Sequence, residues 1–454
     1  MSSRWSSNDR DTRWISRVLL SQITSDVLVG IALWALCVPA WSQAVRIDSV
    51  GVVDRRTPIA VPNFGAAPGL EAVANEMSDV ITYDLLFTGL FKTLPHENFP
   101  RSFTGFTADA SEINFKDWKT TKADYLVYAY IATEGEAVVV ECRMFDIVTG
   151  FQVVGQRLTA ARDLSRLVAH RFSEEIVRHV DGIAGMASSR ICLSGGDGKT
   201  KEICVADYDG ANLREVTKHG SISIKPKFSP DGTRIAYLSY KDRYPFLYIL
   251  ELATGKSAPL SKRVGLNAAP AWAPDSQTLA FVLSKDGNTE IYVKNADGTG
   301  ERRLTRDRAG DTSPAFAPSG QQIAFVSDRG GRAQIYVMNA DGSNVRRVSY
   351  QGGSAYDPAW SPDGRRIAYV AEKSGEGLEI YVMDANGQNP VRLTNTAGGN
   401  ESPSWSPDSR HIVFMSTRSG RAGIWAVNIE PPHQQHRITR SGMRCEGPSW
   451  GPRR

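Results

Sequence analysis

Three sets of residues in this 454-residue chain have types and spacings that could do chemistry. The first is a set of acidic turns, Asp207-Tyr-Asp-Gly210, Asn295-Ala-Asp-Gly298, Asn339-Ala-Asp-Gly342 and Asp384-Ala-Asn-Gly387. Oxygen ligands at alternate positions suit a hard cation such as calcium. The same tetrapeptide in four places is better explained by one backbone requirement met four times, because Asp-Gly supplies the positive φ of a tight hairpin. The second set is aromatic: Phe228, Trp272, Phe316, Trp360, Trp405 and Trp450 each stand two places after a proline. They could stack on sugars or bases. Six copies at one strand position favour packing between repeats instead. The third set is Asp311, Asp357 and Glu401, carboxylates that could cleave a glycosidic bond if two of them met at close range.

Other catalytic constellations are missing from the sequence. There is no Gly-x-Ser-x-Gly elbow, no HExxH among the seven histidines, no Walker loop and no Gly-x-Gly-x-x-Gly. No CxxC or zinc spacing occurs. No cofactor is expected, no metal ligands are assigned, and the chain reads as a non-enzyme. Net charge is only +4, which argues against nucleic acid as a partner.

The elements that must position these residues follow from a repeat. Pro226-Lys-Phe-Ser-Pro-Asp-Gly recurs as Pro270-Ala-Trp-Ala-Pro-Asp-Ser, Pro314-Ala-Phe-Ala-Pro-Ser-Gly, Pro358-Ala-Trp-Ser-Pro-Asp-Gly, Pro403-Ser-Trp-Ser-Pro-Asp-Ser and Pro448-Ser-Trp-Gly-Pro, at spacings of 44, 44, 44, 45 and 45 residues. A period in the low forties with several short strands is the mark of a propeller blade. In the copy at Pro314, residues 314–317 read as a first strand, 322–327 as a second, 334–338 as a third and 346–348 as the start of a fourth. The segment at Arg190 supplies second, third and fourth strands but no first. The missing piece stands at the other end of the chain, as Pro448-Ser-Trp450. The tail is therefore expected to pair beside Arg190 and close the ring, which leaves no unpaired sheet edge.

The fold class is thus an all-β six-bladed β-propeller with a preceding small α/β domain. The expected divisions are 1–44, a signal peptide; 45–182, the α/β domain; 183–189, a linker; and 190–454, the propeller. Arg4, Arg10, Arg13 and Arg17 precede a 14-residue apolar run, residues 27–40, and Ser42-Gln43-Ala44 offers a small-x-small cleavage site. That run is short for a membrane span. The mature chain would then start at Val45, keep Cys142, Cys192, Cys204 and Cys445, and hold no direct membrane span. Cys192 and Cys204 fall at corresponding places on adjacent strands. Either a disulfide or two buried small apolar side chains would fit. In the α/β domain, residues 59–62, 124–130, 137–145 and 151–154 read as strands, and 70–86 and 164–180 as amphipathic helices. The segments before each proline differ from blade to blade: 262–269, 306–313, 351–357, 397–402 and 442–447. They read as loops gathered at one mouth of the tunnel, a surface for a protein partner.

Signal peptide, α/β domain and Pro-x-Trp-Ser-Pro-Asp-Gly ring together resemble the TolB family, the periplasmic component of the Tol–Pal system of Gram-negative bacteria. More telling than the blade motif is Val45-Arg46-Ile47-Asp48-Ser49-Val50-Gly51-Val52-Val53-Asp54 followed by Pro58-Ile-Ala-Val-Pro-Asn-Phe64. The resemblance implies a periplasmic, monomeric interaction protein that supports outer-membrane integrity, protein import and envelope constriction during cell division. It implies that residues 45–54 engage the inner-membrane protein TolA, and the apolar alternation there suits strand addition. It implies that the propeller mouth receives the peptidoglycan-associated lipoprotein Pal. Leu266, Asn267, Ala269, Asp311 and Thr312 match that surface by position, with Leu266 standing where a polar residue is expected. Tyr356, Asp357, Asn400 and Glu401 are added from loop position. The alternative from another class is an enzyme or lectin acting on cell-wall sugars.

Overall fold

The computed structural model describes residues 55–350, 353–373, 377–440 and 442–454. Its first part is a six-stranded sheet with two long helices on one face. The strands are β1 (Thr57–Ala60), β2 (Gly65–Ala66), β3 (Phe91–Thr93), β4 (Tyr125–Glu134), β5 (Ala137–Asp146) and β6 (Gln152–Ala160). Their order is β3-β1-β4-β5-β6, and β2 also pairs with β4. Alternation along β4 decides the two faces. Val127, Ala129 and Ile131 face the helices α1 (Glu71–Phe87) and α2 (Ser165–Asp181). Leu126 and Tyr128 face an aromatic layer of Phe99, Phe103, Phe106, Phe115 and Trp118.

Both helices bury the stripe that their spacing predicts: Val73, Ala74, Met77, Val80, Ile81 and Leu85 on one, Val168, Ala169, Phe172, Ile176 and Val177 on the other. The second ends where Gly182 takes the left-handed conformation, φ 79°. The expected return strand at 151–154 is longer in the structure, because β6 continues to Ala160 against the whole of β5.

The ring consists of six four-stranded antiparallel sheets. Their inner strands are Ser223–Phe228, Asn267–Trp272, Asp311–Phe316, Ala355–Trp360, Asn400–Trp405 and Arg444–Trp450. The last pairs with Arg190–Gly196, which sets Trp450 opposite Ile191 and Ser449 opposite Cys192. The six aromatics sit at the seams. Trp272 Nε1 donates to the carbonyl of Lys227 in the preceding blade at 3.0 Å, and Trp405 Nε1 to that of Ala359 at 2.9 Å.

Cys192 lies opposite Val205, whereas Cys204 lies opposite Leu193. One residue of offset puts the two cysteines on opposite faces of the sheet. All four described cysteines are free and buried, so these two act as small apolar side chains.

A polar lock recurs between the third and fourth strands. Thr305 Oγ1 accepts from the Ile291 amide at 2.9 Å and donates to the fully buried Glu290 at 2.5 Å. Arg303 binds the other Glu290 oxygen at 2.6 Å. Glu202 with Thr217 and Glu379 with Thr394 repeat the arrangement, and Gln334 with Ser349 does so without the charge. Replacing Glu290 by Ala leaves a guanidinium and a buried hydroxyl without their acceptor, and should cost about 3 kcal/mol in urea unfolding. Glu290→Gln copies the Gln334 version and should cost about 1 kcal/mol.

Candidate functional site

Each inner strand carries the same irregularity. Pairing with the second strand skips between Ile224 and Lys227, Ala268 and Ala271, Thr312 and Ala315, Tyr356 and Ala359, Glu401 and Ser404, and Glu446 and Ser449. The skipped pair always ends in the repeat's first proline. Proline has no N–H to give to a ladder, so a bulge is where a strand tolerates it. The residue before that proline has positive φ in all six blades: Lys225 54°, Ala269 49°, Ser313 48°, Asp357 46°, Ser402 56° and Gly447 56°. A bulge re-aims a side chain. Here it turns all six positions onto the wall of the central tunnel, a cavity of about 320 Å³ collared by Pro270, Pro314, Pro358 and Pro403.

This corrects the expectation that the segments before the prolines are loops. Of the nine expected mouth residues, only Leu266 lies outside a strand. Asn267, Asp311 and Asn400 are fully buried and serve the blades rather than the surface. Asn267 accepts from Ser261 Oγ at 2.7 Å and donates to the Arg263 carbonyl at 2.8 Å. Asp311 holds Arg329 through both oxygens at 3.0 and 2.9 Å. Its burial raises the carboxyl's pKa above the ordinary value, despite Ser327 and Arg329. Asn400 ties Glu379 to Arg418. Leu266 and Tyr356 are exposed, Thr312 and Glu401 half-buried, and Ala269 and Asp357 line the tunnel. Residues 45–54 lie outside the described residues.

The mouth at which Leu266 stands is formed by the turns between second and third strands and by the connections between blades. Sequence reasoning missed several apolar side chains there. Val264 is 90% exposed, Tyr350 67% and Tyr244 65%. They sit in connections rather than in periodic elements, so no pattern marks them. The α/β domain docks at the opposite end, where Phe87 and Thr88 offer carbonyls to His411 Nε2 at 3.0 Å and Asn428 Nδ2 at 3.1 Å. Arg410 pairs with Asp181 there. Among the described residues, none of that domain covers the mouth.

Inside the tunnel, Lys225 Nζ reaches across to Asp357 Oδ2 at 3.5 Å and to Ser402 Oγ at 2.9 Å. Ser313 Oγ stands 3.3 Å from Asp357 Oδ1. Burial works to raise the Asp357 pKa, but the ammonium groups of Lys225 and Lys227 outweigh it and hold the carboxyl below its ordinary value. Lys227 is shifted down by burial and by Lys225.

Of the carboxylates considered for glycoside cleavage, Asp311 and Asp357 are not brought together. Asp311 turns into its blade toward Arg329, whereas Asp357 turns into the tunnel toward Lys225. In the acidic turns, Asp297 and Asp341 accept from the amide two residues on, both at 2.9 Å, and Gly298 and Gly342 take φ of 90° and 94°. The turn geometry accounts for them. One further cluster, His170 with Asp207 and Asp209, has metal-ligating atoms within 4.8 Å of one another. Arg454 already binds Asp207 and Arg166 binds Asp209, so guanidinium groups supply the positive charge an ion would bring.

Comparison with known proteins gives a consistent answer. Residues 177–377 and 352–454 match the TolB beta propeller domain, and residues 45–153 the TolB amino-terminal domain. The Tol-Pal system protein TolB of Ruegeria sp. is 33% identical over 243 residues, covering 52% of this chain and 54% of that protein. Its namesake in Pseudomonas aeruginosa is 33% identical over 248 residues, covering 53% and 56%. The chain thus spans about half the length of the curated relatives it matches. The crystal structure of TolB from Acinetobacter baumannii superposes with a TM-score of 0.78 at 26% identity, covering 87% of this chain and 97% of that one. With the propeller match alone spanning more than half of its residues, and with the architecture in agreement, the chain belongs to the TolB family.

Proposed function

We propose that the protein is a non-catalytic, periplasmic interaction component of a Tol–Pal system. Its ring end around Leu266, Ala269, Thr312, Tyr356, Asp357 and Glu401 receives Pal, backed by the buried Asn267, Asp311 and Asn400. Residues 45–54 engage TolA. Through these contacts it supports outer-membrane integrity and constriction of the envelope during division. What supports the Pal assignment best is the open mouth. Among the described residues, a stiff closed scaffold leaves one end uncovered, and exposed Val264, Leu266, Tyr244 and Tyr350 stand there among polar connections. Aromatic anchors with a polar rim are what protein interfaces use. Among the described residues, no helix is long and apolar enough to cross a membrane.

Two variants separate the two contacts. Leu266→Asp puts a charge where an apolar side chain faces the partner, and should weaken capture of Pal at least about tenfold while TolA capture is unchanged. Deleting residues 45–54 should do the reverse. Both are read by pull-down from an envelope extract with quantified Pal and TolA. If the deletion leaves TolA capture intact, the terminal assignment fails; if L266D leaves Pal capture intact, the mouth assignment fails.

A further inference from the structure

The tunnel departs from the ring's own repeat at two positions. Lys227 follows the proline of its blade, where the other five blades carry Ala271, Ala315, Ala359, Ser404 and Ser449. Lys225 precedes it, where the others carry Ala, Ser, Asp, Ser and Gly. One blade therefore sends two ammonium groups into a shaft whose only other charged side chain, among the described lining residues, is Asp357. The Lys227 side-chain ammonium makes no hydrogen bond or ion pair among the described residues, although its backbone carbonyl accepts from Trp272. The Lys225–Asp357 contact is 3.5 Å, longer than the 2.7–2.9 Å of a well-formed charge-assisted bond. Ser402 and Ser313 add hydroxyls on the same wall. The cavity, about 320 Å³, is otherwise lined by prolines, Ile224, Leu238 and small apolar groups.

From this geometry we infer that the tunnel is a binding site for a carboxylate monoanion, held by Lys227 and Lys225 with hydroxyl donation from Ser313 and Ser402. The sign follows from charge. Two ammonium groups against one carboxylate leave a surplus of one positive charge, which repels a cation and matches a single negative one. A phosphate dianion would overshoot that surplus, and the proline collar favours a ligand with an apolar body. Asp357 is the competitor. It occupies Lys225 when the tunnel is empty and yields it when a second carboxylate enters. The carboxylate has two possible sources with one chemistry: a free small organic acid, or an acidic side chain of the partner docked at the mouth. The second source rests on the proposed function; the first does not.

Two of the variants that test this, Lys227→Ala and Lys225→Ser, copy residues the ring already holds at the same places, and the third, Asp357→Asn, keeps the side chain's shape while removing its charge. Calorimetric titration of the purified protein with sodium acetate, against sodium chloride at constant ionic strength, reads the first source. Titration with the Pal domain reads the second. Each lysine variant should lose at least about tenfold in affinity, and Asp357→Asn should gain about threefold, because the competing carboxylate is gone. Inorganic phosphate should bind more weakly than acetate, and calcium chloride should show no binding.

Acetate binding with this pattern places the site with a free acid. No acetate heat, but the same pattern with the Pal domain, places it with the partner's side chain. If wild-type protein does not bind the Pal domain at all, the docking reading falls and acetate alone decides. Absence of the pattern in both arms overturns the inference. So does weaker binding by Asp357→Asn, or calcium binding that this variant abolishes.

Discussion

Removal of residues 444–454 should leave a protein that no longer melts as one cooperative unit and that aggregates on concentration. Those residues hold the inner strand of the blade begun at Arg190, paired from Arg444–Gly196 through Trp450–Ile191. Without them Arg190–Gly196 becomes an exposed edge, and the neighbouring blades lose contacts on both sides. The Trp450 amide donates to Ser404 Oγ at 3.0 Å, and Ser449 Oγ accepts from the Phe228 amide at 3.3 Å. The strand is thus stitched to the blade before it and the blade after it. A single substitution should register as well. Trp450 is 7% exposed, and its Nε1 donates to Ser189 Oγ at 2.7 Å. Trp450→Ala should cost about 3–5 kcal/mol, a cavity plus the lost indole hydrogen bond to Ser189, whose hydroxyl keeps its bond to the Met186 carbonyl. At roughly 2–4 °C per kcal/mol for domains of 150–250 residues, Tm should fall by about 10 °C. Differential scanning calorimetry reads both variants. A truncated protein with an unchanged, sharp transition would mean that the ring stands without its final strand.

The second large effect concerns the seam between the α/β domain and the ring. Asp84 is 1% exposed, yet receives Tyr208 OH at 2.6 Å and lies 2.9 Å from His170 Nδ1. Tyr208 belongs to the ring, and Asp84 and His170 to the two long helices. Phe87 packs edge-on to Tyr208, with ring centroids 5.1 Å apart. Asp84→Ala strands a buried imidazole and a buried phenol at once, and should cost about 3–5 kcal/mol. Tyr208→Phe leaves the His170 pair in place and should cost about 1–3 kcal/mol.

The Asp84 effect should depend on pH in a definite direction. Burial pulls the His170 pKa down, but Asp84, with Asp209 beyond it, more than reverses this against the opposing charge of Arg166. The folded pKa therefore stands above the unfolded value of about 6.5. A raised histidine contributes stability that is fully present below that unfolded value and fades as pH rises through the folded one. His436, lowered by burial, works the other way. Taking wild type minus Asp84→Asn in urea cancels His436, and the difference should be larger at pH 6 than at pH 9. A difference that stays flat from pH 6 to pH 9 would show that His170 is neutral in the folded protein.

The ring was legible because it is periodic. A proline with an aromatic two places on, recurring at spacings of 44 and 45 residues, leaves few alternatives, and the offset between Arg190 and Trp450 points to the shared blade. Both long helices were legible for the same reason, with their ends within one residue of the expected ones. The layer from Phe99 to Trp118 was not, since it packs aromatics through short irregular turns without a period. At the mouth, reading the prolines as strand starts misassigned the residues before them. Asp311 and Asn400 look like loop polars in one dimension. Only the bulge, which carries the strand upstream of the proline, reveals that they point inward. Lys227 could have been found by aligning the six copies, where it stands against two kinds of small residue.

The six left-handed positions have an evolutionary corollary. Each except Gly447 places one side chain in the shaft, while the backbone around it is held by the proline and the bulge rather than by that side chain. Lys, Ala, Ser, Asp, Ser and Gly already coexist there in one molecule. The lining can therefore change one residue at a time, with the barrel of blades left intact, so that paralogues and orthologues are free to carry differently charged shafts behind the same exterior.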